Sequence, residues 1–411
     1  MKILLSTLGT RGDVEPYLAL GSCLRTRGHE VTLVTGHGYD KPAGQLGLNY
    51  VKLPVDFRAL ANFDISTTAG KFAAYKEFRA ALEPLHDQMF WSVRVSDPDV
   101  VVYHPKTYAM LPIAKAFGAI AVPSTLLPLF WPSPDFPHAL LPLRSLGRAG
   151  NLLSHRLMDR LAMAAQNRII AGWVRRHSVL RRYADTPMHY ARGYHPEGRL
   201  TPFLHAYSPV LTGTRTPPSS FIITGHWRYD RGSDPAEASV ERFLSNGSEP
   251  VYVGFGSMPA ANARHITETV AEALEADGRR GILCTGWGGL APAITSDLLT
   301  VEQVSHAWLF PKCSTIVHHG GAGTTHEAVW AGKPSVICPV LGDQMFWANR
   351  AENLGIAPRA IPRRRLSVDA LRRAFAHADE NSMRYTAEVL GREIKLIDGA
   401  ERAAIVIESL E

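Results

Sequence analysis

The sequence predicts an α/β protein built from two similar halves, each an open parallel sheet with helices on its faces. Three observations carry this reading. A strand-turn-helix-strand order opens the chain, the same rhythm resumes after a segment rich in proline and glycine, and an apolar strand in the second half runs into the glycine-rich turn H-H-G-G-A-G-T-T at residues 318–325. At 411 residues the chain is also too long for one ordinary core, and dividing by roughly 150 residues per domain suggests two or three.

Residues 3–5 form a short buried strand and residues 9–13 the turn after it. Val14, Tyr17, Leu18, Gly21 and Leu24 recur at three-and-four spacing and mark the inner face of a helix, stopped at Arg27-Gly28-His29. Residues 31–35 are the second strand, and this order requires a parallel pair with a right-handed crossover. Residues 100–103, a helix over 111–117 and residues 119–122 repeat the unit. Between Pro123 and Pro142 the periodicity gives way to prolines and aromatics, including Phe130, Trp131 and Phe136. Such a segment is either a substrate-binding loop or packs its aromatics against the body. A long helix follows over 152–182.

Residues 216–220 and 231–235, rich in proline, glycine and serine, read as the connection between domains. The predicted division is 1–215, a linker over 216–235, a second domain over 236–390, and a C-terminal helix over 391–411. In the second domain residues 251–255, 281–285, 313–317 and 335–339 are strands, 266–274 and 325–331 are helices, and the chain is helical from Leu366 to the end. Ligands in such sheets bind beyond the carboxyl ends of the strands.

Apolar residues make up 45% and charged residues 20% of the chain, the composition of a soluble globular protein. The net charge of +6 is concentrated in residues 144–182 and 363–365, which read as solvated surface. No nucleic-acid module accompanies the basic clusters, and contact with an anionic membrane is left open. The cysteines at 23, 284, 313 and 338 have no C-x-x-C spacing; they read as reduced core thiols of a cytoplasmic protein. The most apolar region, residues 119–132, is broken by Pro123, Pro128 and Pro132, so stable membrane insertion is not expected. Nor does a signal-peptide cleavage pattern follow the first strand.

The glycines at 320, 321 and 323 let the backbone come close to a ligand. The free N–H groups of a helix's first turn, with the helix dipole behind them, then favour an anion, a phosphate above all. Asp97-Pro98-Asp99 resembles a metal-binding pair of acids but, with a proline between them before a strand, reads as a loop. No histidine or cysteine cluster has metal-ligand spacing. A dinucleotide oxidoreductase is disfavoured, because residues 9–12 lack G-x-G-x-x-G and no acid ends the strand over 31–35.

Five segments occur in a telling order: G-T-R-G-D-V-E-P from Gly9, F-G-S-M from Phe255, W-L-F-P from Trp308, the 318–325 turn, and G-D-Q-M-F-W from Gly342. Together they resemble the family 1 nucleotide-sugar glycosyltransferases, and most of all those of bacterial antibiotics, macrolides and sterols. The resemblance covers nearly the whole chain and is weakest between about residues 55 and 215. It implies the GT-B fold: two facing Rossmann-like domains, acceptor in the first, donor in the second, and a C-terminal helix crossing back.

The resemblance also implies site residues. His319 matches the histidine on the donor pyrophosphate, and His318 is then a strand-end residue. Gly321, Gly323 and Thr324 fall where backbone N–H groups and a hydroxyl hold the phosphates, with Ser257 on the neighbouring loop. Glu327 matches the ribose-contacting acid and so favours UDP over dTDP; Val304 matches a residue lining the base, although no aromatic stacking partner stands just upstream. Asp343 and Gln344 match the pair that binds sugar hydroxyls, and Phe130 and Trp131 suggest a flat or greasy acceptor. Asp13 holds the position of the catalytic base; from position alone it reads as an N-cap of the helix starting near Val14. His104 lies roughly where the family has a helper acid.

The expected activity is inverting, metal- and cofactor-free transfer of a hexose from a nucleotide diphosphate to a hydroxyl or amine of a lipophilic acceptor. A nucleotide-sugar epimerase on the same fold, or a non-catalytic auxiliary partner of a glycosyltransferase, are the alternatives.

Overall fold

The computed structural model describes residues 1–56, 68–184, 187–213, 218–230, 237–256, 263–286, 290–292 and 297–411, with the backbone alone for 68–79 and 237. Ser257 and residues 216–217 and 231–235 of the expected linker lie outside the described residues.

Twelve strands among the described residues form two all-parallel sheets. The first comprises β1 (Lys2–Ser6), β2 (Glu30–Thr35), β3 (Asn49–Lys52), β4 (Val100–Tyr103), β5 (Ile120–Thr125), β6 (Phe203–His205) and β7 (Phe221–Ile223), in the order β3-β2-β1-β4-β5-β6-β7. Ile3 pairs with Val31 on one side and Val100 on the other. Every residue of β4 is buried, as expected of a strand covered on both faces. The second comprises β8 (Val251–Gly254), β9 (Gly281–Cys284), β10 (Leu298–Val301), β11 (Thr315–His318) and β12 (Ser335–Ile337), in the order β10-β9-β8-β11-β12. In each sheet the chain runs outward from one central strand and returns on its other side, between β1 and β4 in the first and between β8 and β11 in the second. These reversals open a crevice at the carboxyl ends of the central strands.

Several expected boundaries move. The first helix runs Arg11–Thr26 with Thr10 as its N-cap, so Asp13 sits in its first turn and is not the cap. The long basic helix is Gly147–Arg176. Strands β3, β6, β7 and β10 were not anticipated; like β4, β8, β9, β11 and β12, each has only three or four residues, too few for alternation to stand out in the sequence. The stretch expected to be helical to the end divides into Val368–Ala378, Asn381–Ile394 and Gly399–Glu408. The last of these leaves the second sheet and packs on the helix Arg11–Thr26, with Ala403, Ala404, Ile407 and Leu410 entering the core around Tyr17 and Leu24. Arg27 forms ion pairs with Glu401 and Glu408, and His29 Nε2 lies 2.8 Å from Glu408. No helix among the described residues is long and apolar enough to cross a membrane.

Candidate active site

Both sheet reversals carry the residues that the motifs single out. After β11 the chain turns at Gly320 and Gly321 into the helix Ala322–Trp330, with Gly321 as its N-cap. His318 stays in the strand, fully buried, its Nδ1 accepting the Gly320 N–H at 3.0 Å. His319 is turned the other way and its ring is walled by glycine. A Cβ on Gly256 would come within 2.8 Å of the ring and one on Gly321 within 2.5 Å, so neither position takes a side chain without moving the imidazole. Burial, and then the nearby Arg363, push its pKa down to about 4, leaving the ring neutral. Its Nδ1 is buried with no hydrogen-bond partner among the described residues, an arrangement with a cost unless something else satisfies it. Gly323, one residue into the helix, faces open space where a Cβ would stand. Thr324 is half-buried in the same first turn.

On the facing sheet, Asp13 projects from the first turn after β1. Its Oδ2 accepts the Thr10 N–H at 3.0 Å, and its Oδ1 accepts from Lys106 Nζ at 2.5 Å. Gly9 makes this possible: it adopts φ +149°, and a Cβ there would overlap the Asp13 carboxylate. Lys106 was not anticipated from sequence. It lies in the turn after β4, two residues beyond His104, and only the pairing of β1 with β4 brings it to Asp13.

His104, expected roughly at the place of a helper acid, holds its own turn. Its Nδ1 accepts the Lys106 N–H at 3.0 Å, and burial, with Lys106 beside it, pushes its pKa down to about 3. The ionic partner of Asp13 is Lys106.

Asp343 stands at the N-cap position of the helix Gln344–Asn353 without a side-chain cap bond, and its Oδ2 accepts from Trp347 Nε1 at 2.9 Å. Burial raises its pKa to about 6, with Asp13 pushing the same way and Lys106 opposing. The two carboxylates and one ammonium therefore share one electrostatic neighbourhood across the cleft. Gln344 is less versatile than expected: its Oε1 accepts the N–H groups of Val340 and Leu341, at 2.7 and 3.1 Å, so its amide can only donate.

Glu327, one turn along the donor-side helix, is held by Arg228 Nε at 3.0 and 3.2 Å, yet burial outweighs that cation and raises its pKa to about 7. Arg228 also stacks on Trp330. The cleft is bridged at Arg11, whose Nη1 donates to Gln303 Oε1 at 3.0 Å. Beside Gln303, the Val304 side chain is buried in the core with Tyr252 and Phe310. The aromatic loop also packs inward. Trp131 is 9% exposed, Phe130 lies on Phe203, and Phe136 meets Phe346 of the other domain. Its aromatics join the body of the protein, with Phe130 left half-buried.

Comparisons with known proteins bear on the family and the fold. Residues 3–110 match the glycosyltransferase family 28 N-terminal domain, and residues 288–395 match the erythromycin biosynthesis protein CIII-like C-terminal domain. The chain is 31% identical to the O-mycaminosyltylonolide 6-deoxyallosyltransferase of Streptomyces fradiae, across 99% of this chain and 97% of that protein. It is 29% identical to a sterol 3-beta-glucosyltransferase of Arabidopsis thaliana across 98% of this chain, but spans only 64% of that longer relative. Among solved structures it resembles the glycosyltransferase VinC in complex with dTDP, with a TM-score of 0.65 at 18% identity, covering 100% and 99% of the two chains. The two parallel sheets, the crossing C-terminal helix and a full-length relative together establish that the chain belongs to the GT-B nucleotide-sugar glycosyltransferases, alongside those of macrolides and sterols.

Proposed function

We propose that this chain transfers a hexose from a nucleoside diphosphate to a hydroxyl of a lipophilic polycyclic acceptor, with inversion and without a metal. The observation that carries the reading is the glycine-walled, neutral His319, whose buried Nδ1 has no hydrogen-bond partner among the described residues, set at the start of a helix that has no side-chain cap bond among them. Diphosphate would take these donors, and the leaving charge is stabilised by groups already oriented for it. Asp343 and the Gln344 amide would hold sugar hydroxyls.

Asp13 accepts the acceptor's proton as its oxygen attacks the anomeric carbon. The bond from that carbon to the diphosphate breaks, and the electron pair leaves with the phosphate. Lys106 fixes the orientation of the carboxylate. Attack from the face opposite the leaving group inverts the centre. Glu327 is the group offered to the ribose, after exchanging part of its bond with Arg228.

The test is product formation from UDP- and dTDP-hexoses over a panel of polycyclic alcohols, with a chelator present. Product should form with the chelator, and both Asp13→Asn and His319→Ala should lose it. Retained turnover in both variants overturns the site, whereas altered sugar released without acceptor would mark an epimerase.

A further inference from the structure

The helix Gly147–Arg176 contains six arginines and a single acid, Asp159. That acid is buried and faces His138 at 3.4 Å, so the exposed side of the helix carries no negative charge. Arg148, Arg156, Arg160 and Arg168 are exposed and have no ion-pair partner among the described residues. Between them stand leucines at a spacing of four: Leu153, Leu157 and Leu161 are 63%, 53% and 57% exposed. Leu140, Leu143 and Leu146, just before the helix, are also more than 40% exposed. Scattered surface leucines need no explanation, but a row of them flanked by unpaired arginines is a contiguous apolar patch with a basic rim.

We propose that this face docks on an anionic lipid bilayer, leucines in the acyl boundary and arginines against the headgroups. Charge decides the occupant: a cationic rim repels a second copy of itself and is drawn to a negative surface. The inner side of the same helix reaches the reaction centre. Gln166 Nε2 donates to the Pro105 carbonyl at 3.0 Å, and Pro105 is the neighbour of Lys106, which holds Asp13. A docked helix therefore sets the acceptor-side crevice near a lipid phase, from which a lipophilic acceptor can enter. This last step rests on the function proposed above; the docking does not.

The experiment is sedimentation of the full chain with phosphatidylcholine vesicles, with and without phosphatidylglycerol, in the absence of donor and acceptor. The protein should pellet with the anionic vesicles alone and be released by salt. Replacing Arg156, Arg160 and Arg168 with glutamine should weaken binding roughly fivefold for each residue. Leu153→Ser with Leu157→Ser and Leu161→Ser should abolish it. Each variant must keep the parent's circular dichroism and melting temperature. Equal binding to neutral and anionic vesicles, no binding, or variants that bind like the parent would overturn the proposal. So would a dimer that the leucine variant dissolves in a protein that ignores vesicles. Because the readout needs no sugar nucleotide, a failed docking result leaves the transferase reading standing, and the reverse also holds.

Discussion

Asp13 does two jobs with two oxygens: one closes the first turn of its helix, the other takes the ammonium of Lys106. The helical role and the chemical role, which compete when only the sequence is in view, are therefore compatible. Replacing Asp13 with asparagine keeps an oxygen for Thr10 but removes the base, so kcat should fall by about 10²–10⁴ while the affinity for UDP or dTDP, measured by calorimetry, stays within about twofold. Lys106→Met is the sharper test of the neighbourhood. With the cation gone, Asp13 raises the pKa of Asp343 unopposed, and the acid limb of the kcat/KM profile should move to higher pH, with Lys106→Arg restoring it. An unmoved limb would reduce the lysine to a structural role. Asp13 and His319 were legible because they lie inside recognisable motifs. Lys106 was not, since a single lysine between a proline and a threonine carries no pattern until β4 is laid beside β1.

At the scale of elements, the donor site is a strand end, a turn and a helix start. Gly323 separates fold from ligand there. A Cβ on it meets nothing within 4 Å, so Gly323→Ala should leave the melting temperature unchanged or raise it, since alanine suits a helix better by about 0.5–1 kcal/mol. In the proposed complex, however, that methyl group occupies space needed by phosphate, and diphosphate affinity should drop at least about tenfold. Unchanged affinity would move the phosphates elsewhere. Strands β1, β2, β4, β8 and β11 were legible as apolar runs ending in turn residues, and the helix over residues 11–26 by its periodicity. The aromatic loop was ambiguous for a physical reason. Phenylalanine and tryptophan serve equally to bind a flat ligand and to fill a gap between domains, and here Phe136 does the latter against Phe346.

For the whole molecule, the cleft concentrates acids that burial keeps hard to ionise. Asp343 is raised from 3.8 to about 6 and Glu327 from 4.5 to about 7. As pH rises, the unfolded chain gives up these protons first, so the stability they contribute is complete below about pH 4 and lost by about pH 7. Glu327→Gln should therefore lose about 2 kcal/mol less than the parent between about pH 5 and pH 8, read from urea midpoints at the two pH values. The same slope in both proteins would place Glu327 in water. The two-domain plan and the crossing C-terminal helix were legible from rhythm and resemblance. The way the halves meet, through Arg11 and Gln303, Arg228 and Glu327, and Phe136 and Phe346, was not, because contacts between residues far apart in the chain leave no local trace.

The most direct measurement is a crystal structure of the chain with a nucleoside diphosphate and a polycyclic alcohol that it glycosylates. The phosphates should lie on the first N–H groups of the helix Ala322–Trp330 within hydrogen-bond reach of His319, and the alcohol oxygen within about 3 Å of the Asp13 carboxylate. A diphosphate bound away from that helix, or an acceptor oxygen approached by some other base while Asp13 stays closed on Lys106, would contradict the account.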